Sequence, residues 1–260
     1  VQEPGSKVAL ITGSSRGIGR ATARLLAQRG FDIVIHYRRD EVAARDAAQE
    51  VRYLGRQALV VNAELADHAQ TAEMVETAAA HFGRLDAVVA NAASSSFRPL
   101  QQAGPHHITR TFDTIVGSFL AIVRSAAPIM QRRGNPTHTS RIVTVSGFDT
   151  VRVLPDHGLL AAAKAALEQL TRYLAVELAP HTTVNSVVPG YVDTDSARLY
   201  AETSVPGGWD AAAKQWAEAT PLGRVATVDE VARIIAFLCG DDAGWLTGQL
   251  LVADGGLTLR

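Results

Sequence analysis

The sequence predicts a doubly wound α/β fold, with one parallel sheet of seven strands flanked by helices, from three observations. Short β-branched runs alternate with Ala/Leu/Arg stretches of helical period along the chain. A glycine-rich turn directly follows the first apolar run. The 260 residues are 47% hydrophobic, enough to cover both faces of a large sheet.

The elements follow in order. KVALIT from Lys7, RGIGRATARLLAQRG from Arg16, DIVIHYR from Asp32, EVAARDAAQEVRYLG from Glu41 and QALVVNA from Gln57 read as β-α-β-α-β. A helix over 69–82, a strand over 85–90, a long helix over 107–132 and a strand over 141–146 continue the alternation. A helix over 159–178, a strand over 183–188, a helix over 228–238 and a strand over 249–253 complete it. The least regular piece, 192–222, carries Pro206, Gly207, Gly208, Trp209 and Trp216. An insertion after a parallel strand is where a ligand cover sits; a surface helix pair is the plainer alternative. No internal repeat, low-complexity tract or linker divides residues 1–260, so a single domain is expected.

A net charge of −1 gives no electrostatic reason to expect nucleic acid or an anionic membrane as a partner. Cys239 is the sole cysteine and has no internal disulfide partner. No apolar run reads as a membrane span, and VQEPGSK lacks the basic and apolar regions of a signal peptide, so the chain reads as cytoplasmic. No His/Cys/Asp/Glu spacing suggests a metal site.

In TGSSRGIG, Thr12 to Gly19, the spacing G-x-x-x-G-x-G between a strand and a helix is that of a dinucleotide cradle. Gly13, Gly17 and Gly19 admit the pyrophosphate, and the helix N-terminus offers free N–H groups at its positive end. This marks the fold as Rossmann-type. The second strand ends in His36, Tyr37, Arg38 and Arg39, without the acidic residue that would hold a ribose 2′-hydroxyl. Arg16, Arg38 and Arg39 suit a 2′-phosphate instead, which favours NADPH over NADH.

These residues, taken with others, resemble a classical short-chain dehydrogenase/reductase over nearly the full length. TGSSRGIG is similar to the family's TGxxxGIG, Asn91-Ala92-Ala93 to its NAG, and NSVVPG from Asn185 with Thr194 to its N-x-x-x-P-G-x-x-x-T. PLGR from Pro221, TGQ from Thr247 and DGG from Asp254 are typical of its tail. The resemblance implies that Ser15, Arg16 and Ile18 meet the cofactor with the glycines, and that Tyr37 lies by its adenosine end. Glu64 and Leu65 border adenine, and Asn91, Ala92 and Ala93 run along the cofactor. Pro189, Gly190, Val192 and Thr194 approach the nicotinamide, whose ribose Lys164 holds. It further implies a homo-oligomer, a dimer through the helices containing 113–130 and 159–178, or a tetramer completed by the C-terminal segment.

The family's catalytic set is altered. With Lys164 as the lysine of Y-x-x-x-K, the tyrosine position is Leu160. The serine position is Gly147, with Ser146 just before it, and the helix asparagine falls on Thr114. Leucine cannot protonate an alkoxide, so ordinary ketone reduction is disfavoured. The chain also resembles the NADPH-dependent enoyl-acyl-carrier-protein reductase III subgroup, through GRLD from Gly83, RPL from Arg98, KAALEQLTRYLAVEL from Lys164 and DTD from Asp193. That subgroup sets its tyrosine seven residues before lysine, and here the position is His157.

Imidazole can serve where charge develops on a thioester oxygen. The expected catalytic set is therefore His157, Lys164 and Ser146, with Asp149, Thr114 and Tyr191 as further donors; a loop histidine paired with Asp156 is the bland alternative. His106 and His107 read as surface or helix-start positions. The expected function is NADPH-dependent reduction of an activated C=C bond in a small-molecule or carrier-bound acyl substrate. A catalytically silent NADPH-binding protein, or a cyclase, dehydratase or isomerase on the same fold, stays open beside it. Segments 94–101, 149–157 and 195–222 are expected to set specificity.

Overall fold

The computed structural model describes residues 5–94, 97–131 and 139–260. Its strands are β1 (Val8–Ile11), β2 (Asp32–Tyr37), β3 (Ala58–Asn62), β4 (Ala87–Ala90), β5 (Ser140–Val145), β6 (Thr182–Pro189) and β7 (Leu250–Ala253). All pair in parallel in the order β3-β2-β1-β4-β5-β6-β7. The chain winds outward from β1 to β3, then returns to place β4 on the other side of β1. The crevice at that reversal, beyond the carboxyl ends of the strands, is where an open parallel sheet binds ligands.

Strand alternation divides the interior into two layers. Leu10, Val34, Val88, Ile142 and Val184 face one side with Phe119, Ile122 and Leu167. On the other, Ile11, Ile33, Ile35, Val143 and Val187 pack with Leu26, Val51 and Ile235. The first layer is covered by helices α3 (His68–Phe82), α5 (Ser118–Gln131) and α6 (Gly158–Glu177), the second by α1 (Gly17–Gln28), α2 (Glu41–Tyr53) and α9 (Val228–Leu238). On α6 the buried stripe includes Leu159, Ala163, Leu167, Thr171 and Leu174, and Lys164 and Glu168 lie within it.

The central long helix differs from expectation. The long helix over 107–132 is interrupted: α4 (Pro105–Phe112) runs into a π-turn, Asp113–Gly117, before α5 begins; Arg132 lies outside the described residues. The wider turn has a visible partner in His68, whose Nε2 donates to the Asp113 carbonyl at 3.3 Å. A Cβ at Gly117 would lie 2.3 Å from that nitrogen, so only glycine lets the ring seat there. The 27 residues of Pro105–Gln131 are long and apolar enough to cross a bilayer, yet Phe119, Ile122, Ala126 and Met130 are spent on the sheet layer.

The segment after β6 is two helices, α7 (Asp195–Ser204) and α8 (Gly208–Ala219). Thr194 caps the first, its Oγ1 accepting from Ala197 N at 3.1 Å. Gly207, at φ 87°, makes the left-handed turn between them.

Candidate active site

The glycine loop joins β1 to α1. A Cβ at Gly19 would stand 2.3 Å from the Gly13 carbonyl oxygen, a clash that no side-chain motion relieves. Gly13 and Gly17 have φ of 64° and 57°, the left-handed region that favours glycine. Ser15 is buried beneath the turn. Arg16 precedes the helix in extended conformation and supplies no side-chain cap, so the first-turn N–H groups keep their capacity for an anion.

Behind the loop stands a hydrogen-bonded frame. Thr12 Oγ1 accepts from Asn91 N and Ala92 N, both at 3.0 Å. Asn91 Nδ2 donates to the carbonyls of Thr12 at 3.0 Å and Gly13 at 3.3 Å. His36 completes it: Nδ1 accepts from Gly13 N at 2.9 Å, and Nε2 bonds the Ala63 carbonyl at 3.1 Å. A carbonyl only accepts, so the proton sits on Nε2 and the ring is neutral, in line with burial pushing its pKa down. A histidine read merely as lacking a ribose-binding carboxylate is thus the strut of the loop.

At the end of β2, Tyr37 leads into Arg38 and Arg39. Partial burial lowers the Arg38 pKa; Arg39, Arg110 and Arg16 push it the same way, opposed by Glu64. Glu64 Oε2 lies 3.9 Å from both Arg38 and Arg110 guanidinium groups, and Leu65 beside it is buried. Arg110, on α4, joins this basic group only through folding. Arg16 also faces Asp195 at 3.8 Å. The glycine cradle and the uncapped helix end fit the pyrophosphate of a dinucleotide.

Past the carboxyl ends of β5 and β6 lies a cavity of about 210 Å³ that receives Ile18, Ser146, Asp149, His157 and Lys164. Leu160 faces it as well, and Pro189, Gly190, Val192 and Thr194 line the β6 side. Ala93 is exposed beyond Asn91 and Ala92. The far wall is aromatic: Tyr191 stacks on Trp216 with ring centres 4.5 Å apart and planes 3° from parallel, with Tyr200, Phe97 and Phe148 around them.

Each polar group there is constrained. Lys164 Nζ donates to the Val145 carbonyl; its burial moves the pKa down to about 8, against the pull of Asp149 and Glu168. Ser146 Oγ donates to Glu168 Oε1 at 2.6 Å, and Thr150 Oγ1 to the same oxygen at 3.0 Å. The Ser146 proton is therefore engaged, and its lone pairs are what remain.

His157 is buried against Phe97 and Tyr200. Its Nδ1 bonds the Pro155 carbonyl at 3.1 Å, which fixes the proton on Nδ1 and leaves Nε2 bare in the neutral ring. Burial pushes its pKa down, while the Pro155 carbonyl, Asp149 and Asp156 push it up. Asp149 is shifted up by burial, with His157 and Lys164 opposing. Thr114 Oγ1 is buried in the π-turn without a hydrogen-bond partner among the described residues. His107 Nδ1 accepts from Gly104 N at 3.1 Å at the start of α4, away from this group.

The family model described as enoyl-(acyl carrier protein) reductase matches residues 13–258. The chain is a short-chain dehydrogenase/reductase. A 1-cyclohexenylcarbonyl-CoA reductase of Streptomyces collinus is 37% identical to this short-chain reductase over 254 residues, 97% of the chain and 87% of the relative. A hydroxynaphthalene reductase-like protein of Metarhizium anisopliae is 34% identical, covering 96% and 94%. Among solved structures, acetoin dehydrogenase from Enterobacter cloacae superposes with a TM-score of 0.85 at 35% identity over 97% of this chain and 96% of that one. A Burkholderia xenovorans short-chain dehydrogenase/reductase gives 0.89 at 28% identity, covering 99% and 100%. The Rossmann-type sheet and the oxidoreductase family anticipated from the sequence are thus both found.

Proposed function

We propose that this short-chain reductase uses NADPH to saturate an activated C=C bond in an enoyl thioester or a related conjugated carbonyl compound. The observation carrying this reading is that Leu160 faces the cavity where a phenol would protonate an alkoxide, while Lys164 and His157 line the same cavity. Conjugate reduction puts negative charge on a carbonyl oxygen and calls for charge stabilisation there, which the loss of tyrosine does not preclude. The description of the matching family model and the enoyl-thioester substrate named for the Streptomyces relative support it.

The glycine loop and α1 would hold the pyrophosphate, Arg38, Arg39, Arg16 and Arg110 the 2′-phosphate, and Lys164 with Thr194 the nicotinamide end. When bound there, the cofactor supplies a hydride to the substrate β-carbon. His157 serves in its imidazolium form, because only then does Nε2 carry a proton while Nδ1 keeps Pro155. Ser146 acts by holding Glu168 and the start of the following turn. Helices α7 and α8, within 192–222, cover an acyl or cyclic group against Trp216 and Tyr200. In this reading residues 1–260 form one domain and pair as a homodimer or homotetramer through α5 and α6, whose outer faces expose Leu120, Tyr173 and Val176.

The test is NADPH oxidation with crotonyl-type thioesters and other enones by the parent, His157→Phe and Lys164→Ala. Turnover by the parent, with a loss of about 100-fold or more in His157→Phe, is expected. NADPH binding without turnover of any acceptor would identify a silent binding protein. Conversion of substrate without NADPH consumption would identify a non-redox enzyme.

A further inference from the structure

We propose that Asp149 is a catalytic residue of this reductase, its protonated carboxyl taking the place of the missing family serine and donating a hydrogen bond to the substrate carbonyl oxygen. The inference rests on the reductase reading and names the group that polarises the acceptor.

The geometry begins at Gly147, the residue at the serine position. A Cβ built on it would lie 2.5 Å from Asp149 Oδ1. The carboxyl therefore fills the volume that a serine side chain at 147 would occupy, and glycine is what lets it enter. The device is short: β5 ends at Val145, and the tight turn Phe148–Thr150 folds Asp149 back over Gly147. Asp149 lines the same cavity as His157, Leu160 and Lys164. Ser146, the neighbouring hydroxyl, already donates its hydrogen bond to Glu168.

A carboxyl group can act as a hydrogen-bond donor only while protonated. Burial in the cavity favours the neutral acid, with the aromatic wall of Tyr191 and Phe148 beside it. The charged groups acting on it are His157, just before α6, and Lys164 within α6, and Tyr191 after β6 lines the same cavity; Asp156 acts on His157, Arg152 on Tyr191, and Glu168 on Lys164. A carboxylic acid kept neutral by an apolar site is an established way to bind an oxyanion.

The chemistry balances. The electron pair arriving at the β-carbon as hydride breaks the C=C π bond, and the displaced pair moves to the thioester oxygen as an enolate. Asp149 O–H stabilises that oxygen by hydrogen bonding without leaving its own carboxyl. Collapse of the enolate takes a proton at the α-carbon from the His157 imidazolium, which solvent restores. Net, one C=C bond, one NADPH and one proton become CH–CH and NADP+.

The experiment compares the parent with Asp149→Ala, Asp149→Asn and the double variant Gly147→Ser/Asp149→Ala. It measures kcat/KM for a crotonyl-type thioester from pH 6 to 10, NADPH affinity, and the infrared carboxylic-acid band at neutral pH. Removing one oxyanion donor lowers kcat by about 100-fold or more, so Asp149→Ala falls by that amount with NADPH affinity unchanged. Asp149→Asn, a donor that does not titrate, recovers most of the loss and leaves only the alkaline decline set by His157. The double variant, with a serine restored to the vacated space, also recovers activity. The acid band is present in the parent and lost in Asp149→Asn. Asp149→Ala turning over at the parental rate, Asp149→Asn as inactive as Asp149→Ala, or a parent without the acid band each overturns the proposal while leaving the reductase reading intact. A parent that reduces no acceptor overturns both.

Discussion

Gly13 N–H donates to His36 Nδ1 at 2.9 Å, so the first glycine of the cofactor loop is held by a side chain from the neighbouring strand. Removing that acceptor in His36→Leu leaves a loop N–H without a protein partner, at a cost of roughly 1–3 kcal/mol. Because burial lowers the His36 pKa in the fold, the unfolded chain binds its proton more readily. Its contribution to stability is present above the ordinary histidine pKa and is lost as pH falls below it. Urea titrations from pH 7 to 5 are expected to show a steeper acid loss in the parent than in His36→Leu. Equal slopes would assign the acid sensitivity elsewhere.

Lys164 illustrates a residue kept at the expense of stability. Its pKa is moved from 10.5 to about 8 by burial, a difference worth roughly 3 kcal/mol against the charged form. Between those two values the unfolded chain holds more protons, so stability rises with pH across that window. Lys164→Met is expected to be more stable than the parent at pH 7, with the gap narrowing toward pH 10, and to lose NADPH-dependent turnover. A less stable Lys164→Met at pH 7 would mean that the bond to Val145 outweighs the buried charge.

The arginine cluster bears on cofactor choice. Arg38→Ala and Arg110→Ala are each expected to weaken NADPH binding about tenfold while leaving NADH binding nearly unchanged, the size of a charge-assisted hydrogen bond lost. The measurement is fluorescence titration with both cofactors at two salt concentrations, since screening should blunt an arginine–phosphate contribution to NADPH binding. Equal effects on NADH would show that the arginines shape the loop and do not read the phosphate.

Much of this was legible in the chain because its signals are local. The strands β1, β4 and β7 are short apolar runs closed by polar residues, and the cofactor loop declares itself in TGSSRGIG. Counting back from Lys164 finds both Leu160 and His157, and both reach the cavity. What was not legible depends on contacts between distant segments. The break in the 107–132 helix follows from His68 meeting Asp113 and Gly117. Arg110 reaches Glu64 only once α4 is packed, and no spacing in the sequence announces it. The seating of Asp149 over Gly147 requires the backbone path of a tight turn. Tyr191, Tyr200, Trp209 and Trp216 did offer a compositional signal, an aromatic concentration inside 192–222 and its edge, which the wall of the cavity explains.

In the proposed reaction a conjugated C=C bond, not a carbonyl, is reduced. The most direct measurement is mass spectrometry of a crotonyl-type thioester incubated with the protein and NADPH in deuterated water. The expected product is the saturated thioester, carrying a solvent deuterium at the α-carbon. Recovery of unchanged thioester with NADPH intact, or reduction at the carbonyl with the double bond retained, would contradict it.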